Sequence, residues 1–286
     1  MTAATQNNAT KDQGLRIAGG KVGVLLLHGL CGTPAEMRFV AMGLARAGYT
    51  VHAPQLAGHG AENNGRWQDW YLSARHALNE IRKECDTVIV GGLCMGAILG
   101  LHLAARNPGK VQGVSLFSPT LWINGWAMPW TMRLFNVVRS RWFANFFNFP
   151  DAESLGIKCP RVRSFVKSAL DSAGPAEYGR AGVNGTMVLE HRRMVEAAMN
   201  LLHRVKQPTL IVHSREDDYA NLNNAVYLQG EIAGNVDMVV LDDSYHMVTL
   251  DKQRQVVVDR TRAFVAQIAD GLRNVAGAAE ALPIAA

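Results

Sequence analysis

Apolar residues are spaced along the chain in two alternating rhythms, short β-branched runs and longer stretches with helical periodicity. Val22 to His28 (VGVLLLH) is apolar at nearly every position, as a strand in a sheet covered on both faces requires. Pro34 to Ala47 then reads as a helix, with Thr33 as N-cap and Pro34 at the first helical position. Gly48 closes it, and Tyr49 to Ala53 (YTVHA) is the next strand. Trp67 to Lys83 predicts a helix, Thr87 to Gly91 (TVIVG) a strand running into Gly92, Met95 to Arg106 a helix, and Val111 to Phe117 a strand. Pro208 to Val212 and Asp237 to Leu241 add two strands, each followed by a polar loop, and a last helix runs from about Lys252 to Ala269. This alternation predicts an α/β fold with a mostly parallel, doubly wound sheet.

Thr120 to Val205 breaks the rhythm. It gathers Trp122, Trp126, Trp130, Phe135, Trp142, Phe143, Phe146, Phe147 and Phe149, followed by helix-like stretches without a clear strand. A helical insertion between parallel strands emerges above the strand ends, where ligands bind in such sheets. The expected organisation is therefore a core of residues 15–119 and 206–270, a helical cap over 120–205, and tails at 1–14 and 271–286. The cap aromatics serve an apolar ligand wall, the packing of cap on core, or both. Arg133, Arg139 and Arg141 lie among them, so transient contact with a membrane surface is compatible with the composition, but stable insertion is not expected.

The composition narrows the class. Of 286 residues, 48% are hydrophobic and 19% charged, which fits a globular chain and excludes a largely disordered one. The net charge of +5 is scattered, with no run of five like charges, so nucleic acid is not an expected partner. The four cysteines, Cys31, Cys85, Cys94 and Cys159, form neither a disulfide framework nor a CxxC pair, and reduced thiols fit a cytoplasmic setting. Met1 to Gly14 lacks the apolar stretch of a signal peptide, and no apolar run is long enough for a transmembrane span.

The sharpest chemical signal is Gly92-Leu93-Cys94-Met95-Gly96, placed after a predicted strand and before a predicted helix. That is the context of a nucleophile elbow. The flanking glycines, Gly92 and Gly96, relieve a turn too tight for side chains, and the central residue is held in strained geometry at a helix N-terminus. The pattern is usually written with Ser; here it holds Cys. The partners follow in order, each past a strand end: Asp217, with Asp218 as its rival one residue on, and then His246. Nucleophile, acid, histidine is the order of an α/β-hydrolase triad. In that reading His246 takes the thiol proton and Asp217 fixes the imidazole tautomer. The N–H groups of Leu30, in the His28–Gly32 loop, and of Met95 are the candidate oxyanion hole. Cys31 in the same loop reads as a packing residue, with a second redox-sensitive thiol as the alternative. No HExxH or similar spacing points to a metal, and no cofactor is expected.

LLLHGLCGTPAEMR, GYTVHAPQLAGHG, GLCMGA, the Asp217 loop and SYHMVTLDKQRQVVVDR together resemble small bacterial carboxylesterases of the monoacylglycerol-lipase-like branch of the α/β-hydrolases, over about Val22 to Ala269. The resemblance implies an α/β-hydrolase core, cofactor-free hydrolysis of a small acyl ester, and an apolar acyl pocket under a lid. It carries the family serine onto Cys94, the acid onto Asp217, the histidine onto His246 and the oxyanion loop onto Leu30. With sulfur as nucleophile the intermediate is a thioester, so hydrolysis of esters or thioesters and acyl transfer are both chemically open. A Ser-to-Cys replacement and a site that only binds are further alternatives. A monomer or homodimer is expected.

Overall fold

The apolar runs become the central strands of a computed structural model that describes residues 14–59, 65–135, 137–171 and 182–280. The chain begins with β1 (Leu15–Ile17) and β2 (Val22–Leu27), followed by a 3-10 turn (Pro34–Met37), α1 (Arg38–Arg46) and β3 (Thr50–Ala53). Next come α2 (Trp67–Ile81), β4 (Thr87–Leu93), α3 (Met95–Arg106) and β5 (Gly113–Phe117). The cap region holds α4 (Thr131–Phe135), α5 (Arg141–Ala144), β6 (Asn148–Phe149), α6 (Pro160–Asp171), β7 (Val183–Asn184) and α7 (Gly185–Met199). The core resumes with β8 (Thr209–Ser214), α8 (Asn223–Glu231), β9 (Val236–Leu241) and α9 (Arg254–Glu280).

The seven-stranded sheet has the order β1-β3-β2-β4-β5-β8-β9. Only β1 is antiparallel to its neighbour; the other pairings are parallel. Successive side chains point to opposite faces, so one strand feeds two cores. Leu25, Leu27, Val88, Val90, Val114 and Leu116 pack under α2 and α3, while Val24, Leu26, Ile89 and Phe117 pack under α1 and α9. This explains why the central strands read as continuous apolar runs. It is the α/β-hydrolase architecture: a mostly parallel sheet with helices on both faces.

Several elements differ from the sequence expectation. The helix predicted from Pro34 opens as a 3-10 turn, with Thr33 Oγ1 accepting from the Ala35 N–H at 3.4 Å. β1 is too short to carry a period, and α8 buries only Asn224, Ala225 and Leu228, so neither stands out in the sequence. A two-residue antiparallel pair, β6–β7, lies in the cap where no strand was predicted. The last helix continues past Ala269 to Glu280, through residues expected as a tail. Alanine is the strongest helix former, and the Ala-rich composition that reads as low complexity also extends a helix. Residues 1–13 and 281–286 of the expected tails lie outside the described residues.

α7 connects cap and core. Met187, Met194, Val195 and Ala198 join the cluster under α2 and α3, whereas Val188 and Leu189 pack with Met132, Phe135, Val138, Ala144 and Phe149 of the cap.

Candidate active site

Cys94 joins β4 to α3 with φ 55° and ψ −114°, a backbone conformation that L-residues rarely adopt. Such geometry costs on the order of 1–3 kcal/mol and persists only where its surroundings enforce it. Here they do. A Cβ on Gly92 would lie 2.3 Å from the Gly96 carbonyl carbon and oxygen, and one on Gly96 would lie 2.3 Å from the Leu27 oxygen and 2.5 Å from the His28 oxygen. The turn is pinned further by the Cys94 N–H, which donates to the Phe117 oxygen at 2.9 Å. The sulfur is thus presented at the carboxyl end of the central strand, at the α3 N-terminus. Met95, first residue of that helix, carries one of the N–H groups that a helix leaves unpaired.

His246 follows β9 and is buried. Its Nδ1 lies 2.8 Å from Asp217 Oδ2 and 3.0 Å from Oδ1, and its Nε2 has no hydrogen-bond partner among the described residues. Burial alone would lower the imidazole pKa. The Asp217 carboxylate first, then the neighbouring Cys94 sulfur, outweigh it and hold His246 well above its usual value. Asp217 is likewise buried, yet the His246 charge and hydrogen bond keep its carboxyl below the ordinary range. Its Oδ1 also accepts from the N–H groups of Tyr219 (2.9 Å) and Ala220 (2.7 Å), so its orientation is fixed by its own loop.

Geometry separates Asp217 from its rival. Asp218 turns away from the imidazole: its Oδ1 accepts the His246 backbone N–H at 3.1 Å, and its Oδ2 accepts from Ser154 Oγ and from the Gly156 N–H at 3.2 Å. It therefore stitches the histidine loop to the cap. Two further neighbours escape sequence reasoning. The Tyr219 ring stacks on His246 at 5.2 Å between centroids, and His213 Nε2 lies 2.8 Å from the Ala220 oxygen and 3.4 Å from Asp217 Oδ2. His213 directly follows the strand predicted to end at Val212, and nothing local in the sequence reveals the loop folding back over it.

Leu30 lies in the loop after β2, and its N–H donates to no acceptor among the described residues. His28 fastens the loop: Nδ1 donates to the Gly29 oxygen at 2.9 Å and Nε2 accepts the Leu56 N–H at 3.1 Å. Burial lowers the His28 pKa to about 4, so the ring is neutral and the tautomer follows from its two partners. Cys31 sits beside it at φ 60°. Burial first, then the charges of Asp151 and Glu36, push its thiol up to about 12, which fits the packing role. Glu36 is also buried here, and the Gly29 N–H donates to its Oε2 at 2.7 Å. In sequence, Thr33-Pro34-Ala35-Glu36 has the spacing of a helix capping box, which hides a contact made seven residues upstream.

A mainly apolar cavity opens over Cys94 and His246, walled by Leu30, Ile123, Met132, Val188, Leu250 and other side chains from both core and cap. Of the described cap aromatics, only Phe149 lines it; Phe135 and Phe147 pack within the cap, and Trp126, Trp130, Trp142 and Phe146 are exposed. The Arg133 side chain lies outside the described residues. Among the described residues, no group of three or more His, Cys, Asp or Glu is placed to hold a metal ion, and no helix is long and apolar enough to cross a membrane.

With this geometry in place, comparison with known proteins is specific. The family model Hydrolase_4, described as serine aminopeptidase S33, matches residues 21–253. The chain belongs to the Hydrolase_4 family. It is similar to a thermostable monoacylglycerol lipase of Bacillus sp. (strain H-257), 30% identical over 253 residues, covering 87% of this chain and 92% of the relative. A carboxylesterase of Bacillus subtilis (strain 168) is 24% identical over 246 residues, covering 84% and 90%. Among solved structures, a metagenome-derived lipolytic enzyme superposes with a TM-score of 0.72 at 28% identity, covering 89% of this chain and 97% of the other. A monoacylglycerol lipase of Paleococcus ferrophilus gives 0.73 at 18% identity, covering 90% and 98%, and so supports the Hydrolase_4 fold alone.

Proposed function

We propose that the protein is a carboxylic ester hydrolase that works through a covalent acyl-enzyme on Cys94, with His246 as general base and acid and Asp217 as the carboxylate that orients it. The observation that carries this reading is the strained Cys94 at the strand–helix turn, opposite an imidazole whose Nδ1 is held by Asp217 and whose Nε2 has no hydrogen-bond partner among the described residues. The apolar cavity and the ester-hydrolysing relatives support an ester with an apolar acyl group.

In the first half-reaction His246 Nε2 takes the Cys94 thiol proton, the sulfur attacks the ester carbonyl carbon, and the carbonyl π electrons move to oxygen. The N–H groups of Leu30 and Met95 stabilise that oxyanion. As it collapses, the bond from carbon to the leaving oxygen breaks, and His246 Nε2–H protonates the departing alcohol. A thioester remains on Cys94. In the second half, His246 Nε2 takes a proton from water, the resulting hydroxide attacks the thioester carbonyl, and the Cys94 sulfur leaves with the proton returned through His246. A thioester substrate follows the same path and releases a thiol. The described cap residues, 120–135, 137–171 and 182–205, act as the lid that walls the acyl group from water.

The test is a p-nitrophenyl ester series from acetate to laurate, run on the protein, Cys94→Ser and Cys94→Ala, with intact-mass detection of adducts. Expected are turnover and an acyl adduct on Cys94, neither of them in Cys94→Ala, and a chain-length optimum set by the cavity. Unchanged turnover in Cys94→Ala would remove Cys94 from the mechanism. No acylation in any form would leave a protein that only binds.

A further inference from the structure

The carboxyl group of Glu36 takes no part in the mechanism above, yet it is buried directly behind the reacting centre and lines the cavity. Its Oε2 accepts the Gly29 N–H at 2.7 Å. A Cβ built on Gly29 would lie 3.1 Å from the same oxygen and 3.6 Å from the Cβ of Cys94, so this glycine lies beside both the carboxyl and the nucleophile. A Cβ on Gly32 would lie 2.0 Å from Oε1. The loop from Gly29 to Gly32 is therefore wrapped around the carboxyl group, and its two glycines are the positions where the wrap is closest. Leu30, whose N–H donates to no acceptor among the described residues, sits between them.

We infer that Glu36 is a positioning residue for the oxyanion loop: by accepting the Gly29 N–H inside the wrap, its carboxyl fixes where the Leu30 N–H meets the substrate carbonyl. The inference rests on the ester-hydrolase reading for its catalytic consequence but not for its structural one. The opposite side of the loop is locked without help, since Gly96 packs against the Leu27 and His28 carbonyls and His28 bonds the Gly29 oxygen. The Gly29 amide is held by Glu36. An acceptor of the same shape at position 36 preserves the wrap; an apolar side chain of the same length does not.

The experiment compares Glu36→Gln with Glu36→Met. Two readouts are followed: the rate of Cys94 acylation by p-nitrophenyl butyrate, resolved into kcat and KM, and amide hydrogen exchange across residues 28–33. Glu36→Met is expected to lower kcat by about a hundredfold, the scale of a lost oxyanion-hole donor, with KM changed less than about threefold. Glu36→Gln, which still offers an oxygen to Gly29, is expected to stay within about tenfold of the parent. Exchange at residues 29–32 should accelerate in Glu36→Met only. If Glu36→Met does not fold, Gly32→Ala displaces the carboxyl from the opposite side and should reproduce the kcat loss. Equal kcat and equal exchange in parent and Met variant would overturn the inference, as would a Gln variant as impaired as Met. If the parent does not acylate at all, the ester-hydrolase reading fails, while the exchange comparison still decides whether Glu36 holds the loop.

Discussion

Around the elbow, backbone touches backbone; in the cap, long side chains reach across to carbonyls. Gly92 and Gly96 approach each other and the Leu27–His28 carbonyls so closely that no atom can be added. The cap is held instead by guanidinium groups. Arg192 donates to the carbonyls of Phe135 (3.1 Å) and Val138, Arg193 to that of Arg139 (2.8 Å), and Arg141 pairs with the buried Glu190 at 2.8 Å. A backbone contact has no softer rotamer to retreat into, whereas a guanidinium has several. The two regions share one cavity: the first presents Cys94 in it, and the second reaches the His246 loop through Asp218.

That contrast is broken most directly at Gly96. Gly96→Ala should cost about 4 kcal/mol or more, enough to leave little folded protein in thermal unfolding followed by circular dichroism. Gly230, in α8, has nothing within 4 Å of an added Cβ. Gly230→Ala should therefore be neutral or stabilise by up to about 1 kcal/mol. A Gly96→Ala protein that melts with the parent would show that the elbow yields after all.

The next largest effect concerns the two adjacent carboxylates. Asp217→Asn should reduce kcat by about 10³- to 10⁴-fold, because an amide no longer selects the productive imidazole tautomer or stabilises its charge. Asp218→Asn should stay within about tenfold, since an amide oxygen can still accept the His246 backbone N–H. Steady-state kinetics on one ester at one pH decides it, and the reverse ranking would reassign the acid.

This pair also marks where legibility in the sequence ends. The strands around the site were readable because burial on both faces removes the polar positions, and α3 was readable from Met95 to Arg106 as a run of small and apolar residues directly after the elbow. The elbow was readable because close approach demands glycine at two fixed offsets. Which aspartate faces His246 was not, because the choice depends on Oδ1 of Asp217 bonding the N–H groups of Tyr219 and Ala220, a turn that either residue permits on paper. Glu36 was hidden for a different reason. Its partner lies seven residues upstream, and the local Thr-x-x-Glu spacing already has an ordinary explanation. In the cap, β6–β7 is two residues per strand, too short for any period to show.

Glu36 supplies a smaller, pH-dependent test of the core side. Burial, opposed by the Gly29 hydrogen bond and the nearby His246 charge, raises its carboxyl from 4.5 to about 7. Between those values the folded state binds more protons than the unfolded one, so stability falls as pH rises through that window. Glu36→Gln carries no proton to lose. Relative to it, the parent should lose about 3 kcal/mol between pH 4.5 and pH 7. Urea unfolding of both proteins at pH 5 and pH 8 measures the difference, and parallel pH dependences would show the carboxyl to be solvated.

The smallest effect is expected at the outer surface of the cap. Trp142 and Phe146 meet edge-to-face at 5.0 Å, but they are 74% and 70% exposed. An aromatic pair contributes about 0.5–1.5 kcal/mol beyond its buried area, and here little area is buried and water competes for both rings. Trp142→Ala should therefore shift stability by less than about 1 kcal/mol. Phe135, by contrast, is 3% exposed and touches both Phe147 and Phe149, so Phe135→Ala in the same cap should cost about 3–5 kcal/mol if the cap unfolds with the core. Thermal unfolding of the two variants separates the cases. A large loss for Phe135→Ala means that the cap is cooperative with the sheet, and its guanidinium contacts, though softer than the elbow, transmit strain to it. A small loss at both positions, with hydrogen exchange fast across 131–149, would mean that the cap opens by itself, and that the core alone holds the geometry of Cys94 and His246.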